Sequence, residues 1–188
     1  TVQTFDGDLV EGVNVEINYT EDGSDVEDFV TGADGLFTAQ DVETCDHYDI
    51  YTEKNINAGN GVSTFDLILI RRHILEIQEF DNAYKYLSAD VNEDGNITTL
   101  DLVDLRKVIL AIQDTFSLNK SWRFIDSEIT FADPNNPVEA VLDQAQINYL
   151  PGDTPVNFIG LKIGDVSGDA DPSAFVNPTD TRNISIRS

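Results

Sequence analysis

The sequence predicts an α+β chain, a small antiparallel β-sandwich combined with a pair of loop–helix motifs. Three observations carry this. Short runs with a period of two fill the first 54 residues. A loop-plus-amphipathic-helix unit then occurs twice with an offset of 35 residues. Strand-like runs return after residue 116.

In residues 1–54, "VNVEINY" sets Val13, Val15, Ile17 and Tyr19 on one face and polar side chains on the other. That is the alternation of a half-buried strand. "YDIYTE", Tyr48 to Glu53, alternates in the same way. The Asp-Gly pair of "TGADGLF" marks a turn between strands expected in "EDFV" and "LFTAQDV". Four or five such strands with acidic turns make a small sandwich.

Residues 55–116 hold the repeat. "NINAGNGVSTFDLILIRRHILEIQ" from Asn55 aligns with "DVNEDGNITTLDLVDLRKVILAIQ" from Asp90. Leu67, Ile70, Ile74 and Ile77 recur at helical spacing, as do Leu102, Leu105, Ile109 and Ile112. The linking "NAYKYLSA" is expected to be a short helix. Residues 117–170 return to β: "SWRFID" and "VNFIGLKIGDV" read as strands, and the Pro- and Asn-rich stretch between them reads as loop. Residues 171–188 read as a linker ending in a strand-like "NISIRS".

With 188 residues, 40% of them hydrophobic and 9% aromatic, the chain has a globular composition. Its formal charge of −24 repels nucleic acid and anionic membrane surfaces and favours hard cations. No apolar run approaches the ~18 residues of a bilayer span. There is no leader-like start and no methionine, so a mature or excised piece of a longer precursor is expected. A lone cysteine, Cys45, excludes an internal disulfide; it is either a small buried apolar residue or an intermolecular bridge.

The candidate chemistry lies in "DVNEDGNITTLD". Asp90, Asn92, Asp94, Asn96, Thr98 and Asp101 fall at positions 1, 3, 5, 7, 9 and 12, with Gly95 at position 6. This is the spacing of an EF-hand-type calcium loop, in which alternate side chains point inward and the glycine permits a sharp bend. Asp at position 12 in place of Glu brings the exit helix closer to the ion, and Thr98 can also cap that helix. The first copy offers Asn55, Asn57, Gly59, Asn60, Gly61, Ser63 and Asp66 at positions 1, 3, 5, 6, 7, 9 and 12. Only Asp66 is charged, so this loop either binds calcium weakly or holds its shape through Asn hydrogen bonds. A third fragment, "DVSGDAD" from Asp165 to Asp171, repeats the start of such a loop with no helix behind it. A solvated acidic turn is the expectation there, a half-site the alternative.

The segments "NGVSTFDLILIRRHIL" and "ADVNEDGNITTLDLVDLRKVIL" make residues 55–116 resemble a type I dockerin module. The resemblance implies two antiparallel loop–helix motifs with pseudo-two-fold symmetry, calcium as the bound ion and a cohesin-like domain as partner. It implies recognition by Thr64, Phe65, Arg71 and Arg72 in one copy and Thr99, Leu100, Arg106 and Lys107 in the other, the basic pairs suiting an acidic surface. The alternative is that Phe65 and Leu100 are core and the basic residues merely solvated. "LVEGVNVEINY", "TGADGLFTAQDV" and "YDIYTEKN" resemble the carboxypeptidase-regulatory-like or Cna-B-like β-sandwich. The set "NGVSTFDLILI", "SWRFID" and "NFIGLKIGDVSGDA" resembles a composite module of large secreted and surface proteins of Bacteroidetes.

Those resemblances imply a secreted or cell-surface location. The expectation is a non-catalytic, calcium-stabilised building block of a surface fibre, stalk or adhesin, with "NISIRS" adding to a neighbouring sheet edge. The other expectation is a docking module. His47 and His73 fit no zinc spacing, no nucleophile motif is visible, and acidic residues are too abundant for any carboxylate pair to signal catalysis.

Overall fold

The computed structural model describes residues 1–21, 25–40, 42–43, 46–134, 137 and 142–174. Cys45 and "NISIRS" lie outside them. The chain divides into two compact units, one within Thr1–Lys54, Arg123–Phe131 and Glu139–Leu161, the other within Asn55–Trp122, Ala132–Val138 and Lys162–Ser188.

The first unit is built on strands β1 (Val2–Thr4), β2 (Asn14–Tyr19), β3 (Asp25–Val30), β4 (Tyr48–Glu53) and β6 (Gln144–Ile147). Most of β5 (Trp122–Asp126) and β7 (Phe158–Lys162) also belong to it. Two sheets form, in the orders β3-β2-β4-β6 and β1-β7-β5. The alternation read from the sequence sets the faces: Val13, Val15, Ile17, Tyr48 and Ile50 are buried, whereas Asn14 and Glu16 are exposed.

Three details depart from expectation. First, β1 runs parallel to β7, pairing Val2 with Phe158 and Thr4 with Gly160, so the strands are not all antiparallel. Second, the Asp34-Gly35 turn forms, with Gly35 N–H donating to Gly32 O at 2.9 Å, but residues 36–40 make no strand. They pack through side chains instead: the Phe37 ring lies 6.5 Å from that of Phe29 and 6.4 Å from that of Phe158. Third, β6 arises inside the stretch read as loop. Its Ala145 is buried while the Gln144 and Gln146 amides both reach Asp49 Oδ1. The partner strand β4, not its own apolar pattern, defines it.

The second unit holds α1 (Thr64–Ile74), α2 (Ala83–Ala89) and α3 (Thr99–Ile109), with α1 packed on α3. Its core gathers Ala58, Ile70, Ala89, Val91, Leu105, Val108, Phe116, Ile163 and Val166. Ile77 and Ile112, expected on the buried helix faces, are exposed because both helices stop before them. Glu76 (φ 55°) and Ala111 (φ 51°) turn left-handed. Ile77 N–H then donates to Arg72 O and Ile112 N–H to Lys107 O, both at 2.9 Å. Each is a Schellman stop whose left-handed residue is not glycine.

Candidate functional site

Both long helices begin with a reciprocal cap. At α3, Thr98 Oγ1 accepts from Leu100 N–H at 3.1 Å, while Asp101 Oδ2 accepts from Thr98 N–H at 2.7 Å. At α1, Ser63 Oγ accepts from Phe65 N–H at 3.1 Å, while Asp66 Oδ2 accepts from Ser63 N–H at 2.9 Å. Each cap satisfies N–H groups that have no partner inside the helix. It also fixes the carboxylate at position 12, and both Asp66 and Asp101 are 0% exposed.

Around Asp101 the contiguous loop closes on itself. Asp101 Oδ1 accepts from Asn92 N–H at 3.1 Å. Asp90 Oδ1 accepts from Asp94 N–H at 3.1 Å and Oδ2 from Gly95 N–H at 2.9 Å. Asp94 Oδ1 accepts from Asn96 N–H at 2.8 Å, and Asn92 Nδ2 donates to Asp94 Oδ2 at 2.9 Å. Glu93 (φ 58°) and Gly95 (φ 81°) make the bends. Burial pushes the Asp90 carboxyl above its usual range, with the like charges of Asp101 and Asp94 adding to the shift. Burial also raises Asp101. Among the described residues no three His, Cys, Asp or Glu groups converge as a metal cluster by themselves. The candidate donors are instead carboxylates taken together with Asn, Thr and backbone oxygens. An all-oxygen set whose carboxylates are destabilised by burial and mutual repulsion fits a hard divalent cation such as Ca²⁺, which would supply the missing positive charge.

The first loop is arranged differently. Asn55 Oδ1 accepts from Ser121 N–H at 2.9 Å. Asn57 is left-handed (φ 55°), and its Oδ1 is buried with no hydrogen-bond partner. Asp66 Oδ1 turns to the third fragment, accepting from Val166 N–H at 3.0 Å and Ser167 N–H at 3.1 Å. That fragment is therefore not the solvated turn expected. Asp165 is 3% exposed, and its carboxylate accepts from Ser167, Gly168 and Ala170 N–H groups. Burial raises it too, and the nearby Asp66 charge adds to the shift.

The recognition candidates are on the surface. Thr64, Phe65, Arg71, Arg72, Thr99, Leu100 and Arg106 are exposed; Lys107 is half-buried and paired with Asp104. Phe65 at 55% and Leu100 at 59% are not core. Sequence reasoning missed four exposed apolar residues on the same helices and their C-caps: Ile68 and Leu75 at α1, Val103 and Leu110 at α3. The signal was present, because each pair is separated by the same 35 residues as the repeat. His73 is half-buried, stacked on Phe80 at 4.4 Å and edge-on to Tyr86 at 4.9 Å, so it is a packing residue.

Residues 55–110 match the family model described as the dockerin type I domain. This stretch is accordingly similar to dockerin-type modules, a type that binds calcium and interacts with other proteins. No curated protein matches the chain, and no solved structure does. No helix among the described residues is long and apolar enough to cross a membrane.

Proposed function

We propose that the chain is a non-catalytic, calcium-stabilised extracellular interaction module that docks a cohesin-like partner through α1 or α3. One observation carries this. Phe65, Ile68, Arg71, Arg72 and Leu75 on α1 and its end are matched by Leu100, Val103, Arg106, Lys107 and Leu110 on α3, an apolar strip edged by cations on each. Exposed apolar side chains grouped this way favour a protein partner, and the cations favour an acidic one. Asp90, Asn92, Asp94, Asn96, Thr98 and Asp101 are the proposed calcium loop beneath α3. The β unit, read as a small sandwich, is its carrier.

Because the two strips are alike, reversing one (Arg71→Glu with Arg72→Glu) should leave a cohesin domain bound with about half the sites available. Reversing both, with Arg106→Glu and Lys107→Glu added, should abolish binding in titration calorimetry. Wild-type affinity in the four-fold variant would remove the docking strips from the proposal.

A fibre, stalk or adhesin building block is the second reading. It is supported by the position of β3 at the edge of its sheet among the described residues, where Val30 is exposed. Light scattering without a partner separates the two: ordered assembly in calcium favours the building block, a monomer the docking module.

A further inference from the structure

The fragment "DVSGDAD" does for Asp66 what "DVNEDG" does for Asp101. Asp165 Oδ2 accepts from the N–H five residues on, Ala170, at 2.8 Å; Asp90 Oδ2 accepts from the N–H five residues on, Gly95, at 2.9 Å. Asp66 Oδ1 takes the N–H of Ser167 and Asp101 Oδ1 takes that of Asn92, each two residues beyond the leading aspartate and each at 3.1 Å. Val166 and Val91, the second residues, both enter the core. The fourth residues, Gly168 (φ 80°) and Glu93 (φ 58°), are both left-handed.

The chain ends also meet where one loop would run on. Counted back from Asp66 at position 12, Ser63 is position 9, Val62 position 8 and Gly61 position 7. Counted forward from Asp165, Ala170 is position 6. A Cβ placed on Gly61 would lie 2.5 Å from Ala170 Cα, so the two backbones touch there. Asn60 and Asp171 join beside this point through two bonds, Nδ2 to O at 2.7 Å and N–H to Oδ1 at 3.2 Å.

A further, independent observation points to a missing ligand. Asn57 is 6% exposed, and its side-chain oxygen has no partner. Its carbonyl accepts from Asn60 N–H, placing it one hydrogen bond away from the junction with Asp171. A buried amide oxygen without a donor is destabilising unless an ion or an ordered water satisfies it.

We propose that residues 165–170 are the missing first half of the first calcium loop, so that Asp165, Ser167 and Asp169 join Ser63 and Asp66 around a second cation. The proposal rests on the calcium reading above. It fills positions 1, 3 and 5, which the contiguous count gives to Asn55, Asn57 and Gly59, with a segment one hundred residues away, restores the charge those positions lack, and leaves the unpartnered Asn57 Oδ1 as an added neutral donor to the ion. The exposed Asp169 stands at position 5, as the exposed Asp94 does in the contiguous loop. Calcium then also ties the segment after β7 to the start of α1.

The test is an ion count on the full chain by calorimetry and equilibrium dialysis with Ca²⁺. Two ions are expected in wild type, one in Asp165→Asn, one in Asp90→Asn and none in the double variant. Asp169→Ala is the variant safest for folding, since it alters an exposed side chain. It should weaken one of two sites about tenfold or more, because affinity follows ligand charge. Hydrogen exchange gives a second readout: calcium should slow the amides of Gly168 and Ala170 in wild type and fail to do so in Asp66→Asn. A wild-type count of one, abolished by Asp90→Asn, overturns the composite site and leaves the calcium reading standing. Two ions in Asp165→Asn, or unchanged affinities in Asp169→Ala, also overturn it. No calcium at any site removes both.

Discussion

The loop at 90–101 and the pair of segments at 61–66 and 165–170 reach the same local geometry by different routes. In the first, carboxylates at positions 1 and 12 are eleven residues apart and the chain between them closes the ring. In the second, the described residues of the intervening chain form two more helices and three strands. What is common is the buried Asp at the first turn of a helix. One of its oxygens serves the helix cap, and the other receives backbone N–H groups from an Asp-Val-x segment. The helix start is thus the template, and chain continuity is optional. The difference lies in entropy: the contiguous loop closes locally, whereas the split one requires the distant segment to be placed first.

The largest effects should come from removing the shared element. Asp101→Ala removes the acceptor of the buried Asn92 N–H and Asp66→Ala that of the buried Val166 N–H, and each weakens a cap. At roughly 1–3 kcal/mol for the unsatisfied donor and about 1 kcal/mol for the cap, each should lose about 2–4 kcal/mol by urea denaturation in chelator. The comparison is sharpened by limited proteolysis. Asp66→Ala should expose residues 165–171 to cleavage, and Asp101→Ala should leave them protected. Equal protection in both would mean that the fragment is held by Ile163 and Val166 packing alone.

A smaller effect is expected at the seam. Gly61 has φ +70° and no room for a Cβ, whereas Gly59 has nothing within 4 Å of its would-be Cβ. Gly61→Ala should destabilise by about 1 kcal/mol for the left-handed backbone, with the contact on Ala170 adding to it. It should also lower the affinity of one calcium site. Gly59→Ala, two residues earlier, should fall within about 0.5 kcal/mol of wild type. If the two glycines behaved alike in thermal denaturation, the backbones would not meet at Ala170.

The contiguous loop stood out in the sequence as a candidate because all its proposed liganding positions lie within twelve residues. The composite could not, since a motif cut between position 6 and position 7 leaves two half-patterns, each too short to outweigh a plain acidic turn. The helix ends were hidden for a related reason. Glycine is the usual left-handed stop, and here Glu76 and Ala111 occupy it, so the apolar period carried through Ile77 and Ile112 without a visible break. Strands with clean alternation, β2 and β4, were legible. Strand β6 was not, because its polar residues owe their places to Asp49 on β4. Exposure of the helix strips needed the structure, as the period of 3.6 cannot say which of two apolar faces is covered.

The smallest expected effect separates the two helices themselves. His73 in α1 stands at the repeat position of Val108 in α3, so at this position α1 packs an ionisable ring where α3 packs an apolar side chain. Burial between Phe80 and Tyr86 holds the imidazole below its usual 6.5, partly offset by Glu79. A folded-state value below the unfolded one means that folding favours the neutral ring. Its contribution is complete above about pH 6.5 and declines as pH falls below that, because the unfolded chain takes up the proton first. The half-buried Asp90 and the buried Asp101 and Asp165 are raised, so in chelator they act in the opposite sense: the folded state holds their protons more tightly, and stability rises as pH falls toward the carboxylate range. His73→Val, the residue of the other repeat, should flatten the slope of the denaturation midpoint between pH 7 and pH 5.5 while leaving the carboxylate slope below it. A slope unchanged by His73→Val would mean that solvent reaches the ring and that α1 and α3 bury equivalent faces after all.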